Sequence, residues 1–465
     1  MLTRIYRLLG IDNALAITLS GRGLGIFFGL GTLWLVSSFL DRSSSGYYFT
    51  FLSILGAQAI LELGMFQVIM QFASHEMPKL SFNKDGILVG NNASISRLSS
   101  ILRLAFKWYA VVAFLLVVIV YPIGFMAFSS AHDSLIISWK IPWAILVISA
   151  GINVFIMPIY SFLEGCGKIA HVARVRVVQN IIGSLIAWAV LSSGGGLYAL
   201  PSMNVAYALV ALFWLTLYQK SFLINIFHAY RSVFSFEWKK DIFPYQWRIA
   251  ATTLTGYISN QVLVPIVFIL AGPTQAGQLG LSLALTWALL SISVSWIQTK
   301  APLFGSLIAQ ERYLDVDKLF LPALFISTLV TLVGCLFIIF IKLALQYFHS
   351  PLGDRLLEIY PLTILLATTI LNNIIFCVSI YLRADKKEPL LPMWLILATL
   401  VLGASLLITP QFGQNGVVVI YFLCTFFIAL PWTLIVFYKV RRSRLSGNII
   451  FRKPLKKAIK ESSRQ

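Results

Sequence analysis

Apolar positions in this chain gather into long blocks, each closed by Pro, Gly or a short charged cluster. A helix needs about 20 apolar residues to cross a hydrocarbon core roughly 30 Å thick, so the blocks are counted by that length. The count predicts about twelve spans, placed at 12–40, 46–73, 106–128, 141–163, 177–193, 199–218, 244–271, 277–299, 320–346, 359–382, 390–409 and 416–438. The second has a polar inner end and the fifth is short. The first block, from about Ile11 to Leu40, shows no small-residue cleavage pattern after a short core and is expected to be a retained span.

Composition removes the alternative of a water-soluble fold. Of 465 residues 58% are hydrophobic and 11% charged, which leaves too little polar surface to cover a particle of that size. The fold class is therefore all-α integral membrane. A net charge of +19 would fit a nucleic-acid partner in a soluble protein, but in a membrane protein basic residues collect on the cytoplasmic side. Counted from a cytoplasmic N-terminus, 29 of the 36 Lys and Arg residues fall on that side, while the opposite loops near 193–199, 271–276 and 410–415 carry none. No nucleic acid is expected, and both termini are placed in the cytoplasm of a bacterium, with the chain in its inner membrane. After Lys439, Phe451, Leu455 and Ile459 recur every four residues among cations. That fits a helix lying on the anionic inner leaflet, or a tail that only fixes topology. The four cysteines, Cys166, Cys335, Cys377 and Cys424, have no paired spacing and read as small core residues. The sequon at Asn92-Ala93-Ser94 falls in an expected cytoplasmic loop and reads as chance.

The chain repeats itself. Tyr160-Ser161-Phe162-Leu163-Glu164-Gly165-Cys166-Gly167-Lys168 closes one helix and begins a short basic loop, as Ser379-Ile380-Tyr381-Leu382-Arg383-Ala384-Asp385-Lys386-Lys387 does 219 residues later. The same offset sets Lys220 on Lys439, and Ser45-Gly46-Tyr47 opens the second helix as Ala276-Gly277-Gln278 opens the eighth. Six helices per copy make the repeats parallel, a common plan in transporters. The expected units are an N-terminal lobe (1–225), a cytoplasmic linker (226–243), a C-terminal lobe (244–440) and a basic tail (441–465).

Leu40-Asp41-Arg42-Ser43-Ser44-Ser45-Gly46-Tyr47-Tyr48 followed by Leu61-Glu62-Leu63-Gly64-Met65 resembles the opening of the polysaccharide flippases of the multidrug/oligosaccharidyl-lipid/polysaccharide exporter superfamily. Glu164-Gly165-Cys166-Gly167-Lys168 and Gln275-Ala276-Gly277-Gln278-Leu279-Gly280 are similar to that family as well. The resemblance implies two six-helix lobes around a central cavity with alternating access. It also implies a polyprenyl-diphosphate-linked oligosaccharide as substrate, for O-antigen or other lipopolysaccharide and polysaccharide biosynthesis. Membrane lipids and, as further partners, a polysaccharide polymerase and assembly proteins go with that role.

A charged side chain at a helix centre costs about 2.5–3.5 kcal/mol on insertion scales, so intramembrane charges are the first site candidates. Arg22 lies on the order of 10 Å inside the basic end of the first helix, among Gly21, Gly23, Gly25 and Gly29. These glycines let a ligand or another helix come close. Arg248 holds a similar place in the seventh helix, five residues out of register, and Lys300 ends the eighth; both read equally as snorkelling residues. Lys140, Arg42 and Lys342 form a candidate cationic set near the opposite side. Among polar uncharged residues, Gln58, Asn260 and Gln261 are candidates for sugar hydroxyls, with Gln67, Asn153, Gln179, Asn180, Asn372 and Asn373 as further cases. Interhelical hydrogen bonding is the plainer reading for most of them. Glu62 and Glu164 lie near helix ends, where loop cations account for them.

No Walker sequence, metal-ligand cluster or catalytic constellation occurs, and the five histidines are scattered in or beside loops. The expectation is a transporter and not an enzyme, with no cofactor and with coupling to H+ or Na+ left open. A diphosphate in a cavity needs cations, which Arg supplies bidentately. The alternatives are a multidrug and toxin extrusion transporter, expected to hold deep carboxylates, and a lipid II-type flippase, with two further helices. A glycosyltransferase or polymerase would need a large outer loop. Reporter fusions near Lys84, Arg174, Lys240 and Lys386 should report the cytoplasm, and fusions near Gly195 and Gln414 the outside. Any of the first group found outside breaks the six-plus-six scheme.

Overall fold

In lipid a backbone N–H or C=O finds no partner except another backbone group, so each apolar run folds as a helix. The computed structural model describes residues 13–77, 80–83, 88–131, 136–219, 243–384 and 388–445, without certain side chains, among them those of Arg22, Arg248 and Asn260. Most of the expected linker (226–242) and of the basic tail (446–465, with Phe451, Leu455 and Ile459) lies outside the described residues. The first six spans are α1 (Asn13–Phe39); α2 (Arg42–Leu55), α3 (Gln58–Glu62) and α4 (Met65–Glu76) as one broken span; α5 (Asn92–Leu115) running on into α6 (Tyr121–Ser129); α7 (Lys140–Gly165); α8 (Ile169–Ser192); and α9 (Ala199–Trp214). A short hairpin, β1 (Leu80–Phe82) against β2 (Leu88–Gly90), precedes α5. The second six are α10 (Phe243–Asn260) with α11 (Leu263–Ala271); α12 (Pro273–Gln298) with α13 (Ala301–Ala309); α14 (Tyr313–Tyr347); α15 (Ile359–Arg383); and α16 (Leu391–Cys424) continuing into α17 (Leu430–Leu445).

Among the described residues nine helical runs are long and apolar enough to cross a membrane, and α2–α4, bent by 43°, makes a tenth. One of the nine, Leu391–Arg444, has 54 residues; straight, it would reach about 80 Å, far beyond one bilayer. Gly413, at φ 55° and ψ −144°, breaks it, and the chain folds back so that a Cβ on Gly416 would strike Ile408. It therefore crosses twice. With α1, whose apolar part Gly23–Phe39 is shorter, the reading of about twelve spans holds.

Three boundaries move outward from the expected ones: α5 starts at Asn92 rather than 106, α8 at Ile169 rather than 177, and α14 at Tyr313 rather than 320. In each the added turns carry Arg or Lys, such as Arg97 and Arg103, Arg174 and Arg176, or Lys318. These residues end a hydropathy block but are good helix formers, so the helix outlasts the apolar run. Helix direction alternates, which puts Arg97, Arg174, Arg312, Arg383 and Arg441 at one end of the bundle, the basic end; the other is the far end.

In the first lobe α1 and α9 pack on α8, and α7 packs on α4, α5 and α9; in the second, α12 packs on α11, α14 and α15, and α16 on α10, α11 and α15. The lobes meet mainly where α2 crosses α12 near their far ends. A Cβ on Gly46 would collide with the Pro273 carbonyl, and one on Gly277 would stand 2.9 Å from the Gly46 nitrogen. These two glycines hold the same place in the two repeats. Residues that match between two copies touch only near the axis that relates the copies, so the contact is consistent with the duplication that the sequence match suggested.

Ala is preferred to Gly inside a helix by about 1 kcal/mol, and Gly403 has open space where a Cβ would go. Gly403→Ala should leave the thermal midpoint of purified protein in detergent unchanged or slightly raised. Gly46→Ala should lower it, because overpacking costs about 1–3 kcal/mol. Equal midpoints would mean that the lobes do not meet through this crossing.

Candidate functional site

Below the crossing the lobes part around a cavity with two walls that share Ser291 of α12. The first wall encloses about 490 Å3 and is lined by α1 from Gly25 to Leu33, by Tyr48 and Leu52 of α2, by Asn180 and Ser184 of α8, and by Tyr207 of α9. The Tyr207 hydroxyl donates to Asn180 Oδ1 at 3.3 Å. Glycines let α1 sit close here: Gly31 leaves room for the Trp188 ring, whose Nε1 donates to Thr32 Oγ1 at 2.8 Å. The second wall encloses about 390 Å3 and is lined by Gly256, Trp287, Gln298, Phe376, Ser379, Arg383 and Trp394. Phe376 stacks on Trp394 with centroids 6.0 Å apart, and Trp287 lies 5.9 Å from Phe376.

Arg383 is the one charged side chain among the described residues lining either wall. It stands at the basic end, where its Nε donates to Glu388 at 3.0 Å. Under the 219-residue offset its counterpart is Glu164, which pairs with Arg176 at 3.3 Å. The same repeat position thus carries opposite charge in the two lobes.

A third space, about 540 Å3, opens between α1, α12 and α14. Leu30, Leu33, Trp34, Leu285, Leu289, Phe337 and Ile341 line it, and Ser37 is its single polar residue. Leu30, Leu33 and Ala288 belong both to this groove and to the first wall, so the groove and the cavity share a boundary.

The far end is shut. Beyond the glycine crossing, Tyr47 meets Phe268 of the other lobe edge-on at 4.8 Å, and Arg42 pairs with Asp354 at 2.6 Å. Arg355 donates to Ser45 Oγ at 3.4 Å. Two Asp-Arg dipeptides, Asp41-Arg42 and Asp354-Arg355, therefore face each other across the lobes. Burial pushes the Asp41 carboxyl up, but hydrogen bonds from Ser44 and Ser43 outweigh it and hold the group below its ordinary range. The Gly353–Arg355 turn is steadied by Lys342, whose Nζ donates to the Gly353 carbonyl at 2.6 Å, and by Gln278, whose Nε2 donates to the Asp354 carbonyl at 2.9 Å. The Arg42–Asp354 side chains are more than half accessible on average, and such exposed pairs contribute about 0–1 kcal/mol. The latch orients the closed state without making it hard to open.

The expected site residues scatter over this frame. Arg22 lies on α1 one turn before Gly25, and Arg248 on α10 two turns before Gly256; their side chains, with that of Asn260, are outside the described set. Lys300 is half-buried at the break between α12 and α13 and lines neither wall. Gln58 opens α3, which packs on α10, while Gln261 is exposed in the break after α10. Lys140 is exposed at the far end, 6.0 Å from the centre of the Trp139 ring, and the expected cationic set does not form: Arg42 and Lys342 both serve the Gly353–Arg355 turn. Asn153, Gln179 and Asn372 donate to Asn204, Tyr207 and Tyr421 on other helices, as the plainer reading had it. Sequence reasoning placed Arg383 in a loop; its repeat partner Glu164 was the signal that could have marked it. Trp287, Phe376 and Trp394 had no signal, being aromatic residues in apolar runs like many others.

No protein-family model matches the sequence, and no curated protein matches it. Solved structures share its fold. An inward-facing multidrug resistance MATE family transporter of the MOP superfamily aligns over 93% of this chain and 100% of its own, with TM-score 0.66 and 14% identity. An outward-facing one aligns over 93% and 98%, with TM-score 0.56 and 16% identity. A MOP superfamily transporter from Pyrococcus furiosus, described by the reverse polarity of its binding pocket, aligns over 92% and 94%, with TM-score 0.58 and 13% identity.

The four native cysteines are buried or half-buried, so a new thiol at Ser291 can be followed alone. With the far end shut and Gln298 and Arg383 exposed at the basic end, Ser291→Cys should react with an impermeant maleimide from the basic side. From the far side the reaction should be at least about tenfold slower, the population ratio that 1.4 kcal/mol separates. Equal rates from both sides would contradict a closed far end.

Proposed function

We propose that the chain moves a polyprenyl-diphosphate-linked oligosaccharide from the inner to the outer leaflet of a bacterial cytoplasmic membrane by alternating access, for surface polysaccharide assembly. The observation that carries this reading is the apolar groove of α1, α12 and α14 joined to a cavity that is largely apolar but also presents Thr32, Tyr48, Asn180, Ser184, Tyr207 and Ser291. An amphiphile needs both at once: a path for its tail that stays in lipid, and a space where its head exchanges water for hydroxyls, amides and aromatic faces. The lining charge fits the same substrate, since Arg383 is cationic and no carboxylate lines the walls among the described residues. Arg22, with Arg248 and Lys300 as partners, is proposed to capture the diphosphate at the basic mouth.

A second reading, extrusion of an organic solute, is supported by two observations. The solved structures of similar fold include multidrug transporters, and the Trp287, Phe376 and Trp394 cluster offers a flat apolar surface. A cationic solute would meet Arg383 there without a lining carboxylate, which favours the first reading for charged cargo.

Purified protein in liposomes should move a fluorescent polyprenyl-diphosphate sugar between leaflets without changing its mass. Movement of an organic-cation dye in place of the lipid-linked sugar would establish the second reading, and a covalently altered product would point to a transferase. Losing a charged bidentate partner costs about 1.5–3 kcal/mol, so Arg22→Ala should slow flipping by about tenfold or more at normal protein levels. Arg22→Lys should recover part of the rate, because an ammonium keeps the charge but loses the planar fork. Wild-type flipping by Arg22→Ala, or a loss traced wholly to missing protein, removes the capture role.

A further inference from the structure

A separate space of about 510 Å3 opens at the far end inside the second lobe, where α11, α12 and the turn of α16 meet. Its lining includes Gln275, Gln278, Glu358, Gln411, Gln414 and Asn415. Five amides and a carboxylate around one cavity are unusual in a chain that is only 11% charged and 58% hydrophobic, since unpartnered amides are costly wherever lipid is near.

The amides are arranged rather than merely gathered. Gly413, in the left-handed region at φ 55°, leaves no Cβ where the Gln275 side chain enters. Gln275 Oε1 accepts from the Gln414 backbone N–H at 2.9 Å, and Gln414 Nε2 donates to Gln278 Oε1 at 2.6 Å. Gln414 is 7% exposed, and its Oε1 is buried without a hydrogen-bond partner. That acceptor awaits a donor, and a buried acceptor without one is unfavourable until a donor arrives. Glu358, Gln411 and Asn415 are exposed around the opening, and Phe412 adds an accessible aromatic face.

The fold alone does not demand the pocket. When Gly46 is laid on Gly277, Gln275 and Gln278 correspond to Ser44 and Tyr47. Tyr47 is fully buried and packs on Phe128 of its own lobe and Phe268 of the second, so at this repeat position the first lobe has a ring engaged with other rings where the second has an amide. The second repeat alone exchanges that packing for amides.

We propose that this pocket is a saccharide site which receives the hydroxyl-rich head of the substrate on the exit side. Sugar hydroxyls are both donors and acceptors, so one hydroxyl satisfies Gln414 Oε1 while others meet Gln411, Asn415 and Glu358, with a ring face against Phe412. Gln278 links the site to the latch, since its Nε2 holds the carbonyl of Asp354, whose carboxylate holds Arg42. The inference rests on the flippase reading for its choice of ligand.

The test uses the full chain in lipid nanodiscs and saturation-transfer NMR with glucose, galactose, rhamnose, N-acetylglucosamine, N-acetylgalactosamine and glucuronate. At least one sugar should give a signal that falls about fivefold or more in the Gln411→Ala, Glu358→Ala double variant, the scale of one or two lost hydrogen bonds. Both residues are exposed, so the variant tests the site without the folding risk of Gln414→Leu, which should abolish the same signal. Gly403→Ala, where a Cβ meets open space, should leave it unchanged. Silence from every sugar, or an undiminished signal in the double variant, overturns the site. Sugar binding with this dependence in a protein that flips no lipid-linked sugar keeps the site and removes the flippase reading. Normal flipping by the double variant keeps that reading and removes the site.

Discussion

The close crossing of α2 and α12 at Gly46 and Gly277 sets where every other part of the molecule can be. Two helices that approach most closely through glycines near one end diverge along their length where larger side chains lie between them. Closing the lobes at the far end by means of glycine therefore leaves space between them below. The walls near Ser291, the apolar groove and the exposed basic end follow from that single approach. The same point lies on the axis of the repeat, so it can act as a pivot on which neither lobe is favoured. The energetics agree with a pivot that must also part. Most of the closure is close packing, and the ion pair above it is largely solvated.

The cavity is economical in charge, and that choice decides which ligand charge suits it. In a space of reduced dielectric a fixed carboxylate attracts cations and repels phosphate by several kcal/mol at short range, and a fixed guanidinium does the reverse. The duplicated frame offers the same position to both, and the chain has put Glu164 against Arg176 in one lobe and Arg383 on the cavity wall in the other. Glu164 is mostly covered by its partner, whereas Arg383 is shared between Glu388 and the open space. A symmetric scaffold thus presents an asymmetric set of charges, with Arg383 on the cavity wall of one lobe and Glu164 paired to Arg176 in the other.

Twelve spans, two copies and the pairing of Gly46 with Gly277 were legible because each follows from lengths and offsets that hydropathy records directly. The site was legible only in part. Helix ends were misread where basic side chains continue a helix past its apolar block, as at Arg97 and Arg174, and the same habit moved Arg383 into a loop. Amides could be listed but not sorted, because Gln179 and Asn372 bond across helices while Asn180 faces the cavity. Which way a side chain points depends on packing angles that no spacing rule contains. Lys342 makes the point most sharply: its charge marked it for the cargo path, yet it is 2% exposed and spent on a loop carbonyl.

That use of Lys342 bears on direction. A cation fixed to the Gly353 carbonyl, with Arg42 on Asp354 and Gln278 on the next carbonyl, makes the Gly353–Arg355 turn a rigid piece of the second lobe that reaches over to the first. The Arg42–Asp354 pair, the Arg355–Ser45 hydrogen bond and the Tyr47–Phe268 ring contact cross the gap; the ion pair is solvent-accessible, whereas Ser45 and the two rings are buried. When the lobes part at this end, the turn stays with α12 and α14, and what is lost includes one exposed ion pair, the Arg355–Ser45 hydrogen bond, the Tyr47–Phe268 ring contact and the glycine crossing. Opening then exposes little buried charge and needs little reorganisation within either lobe. Small differences in the affinity of the two states for a cargo can shift such an equilibrium, since a few kcal/mol of differential binding suffices. The weaker contacts lie between the lobes and the stronger ones within them, an arrangement compatible with rigid-body motion of one lobe against the other.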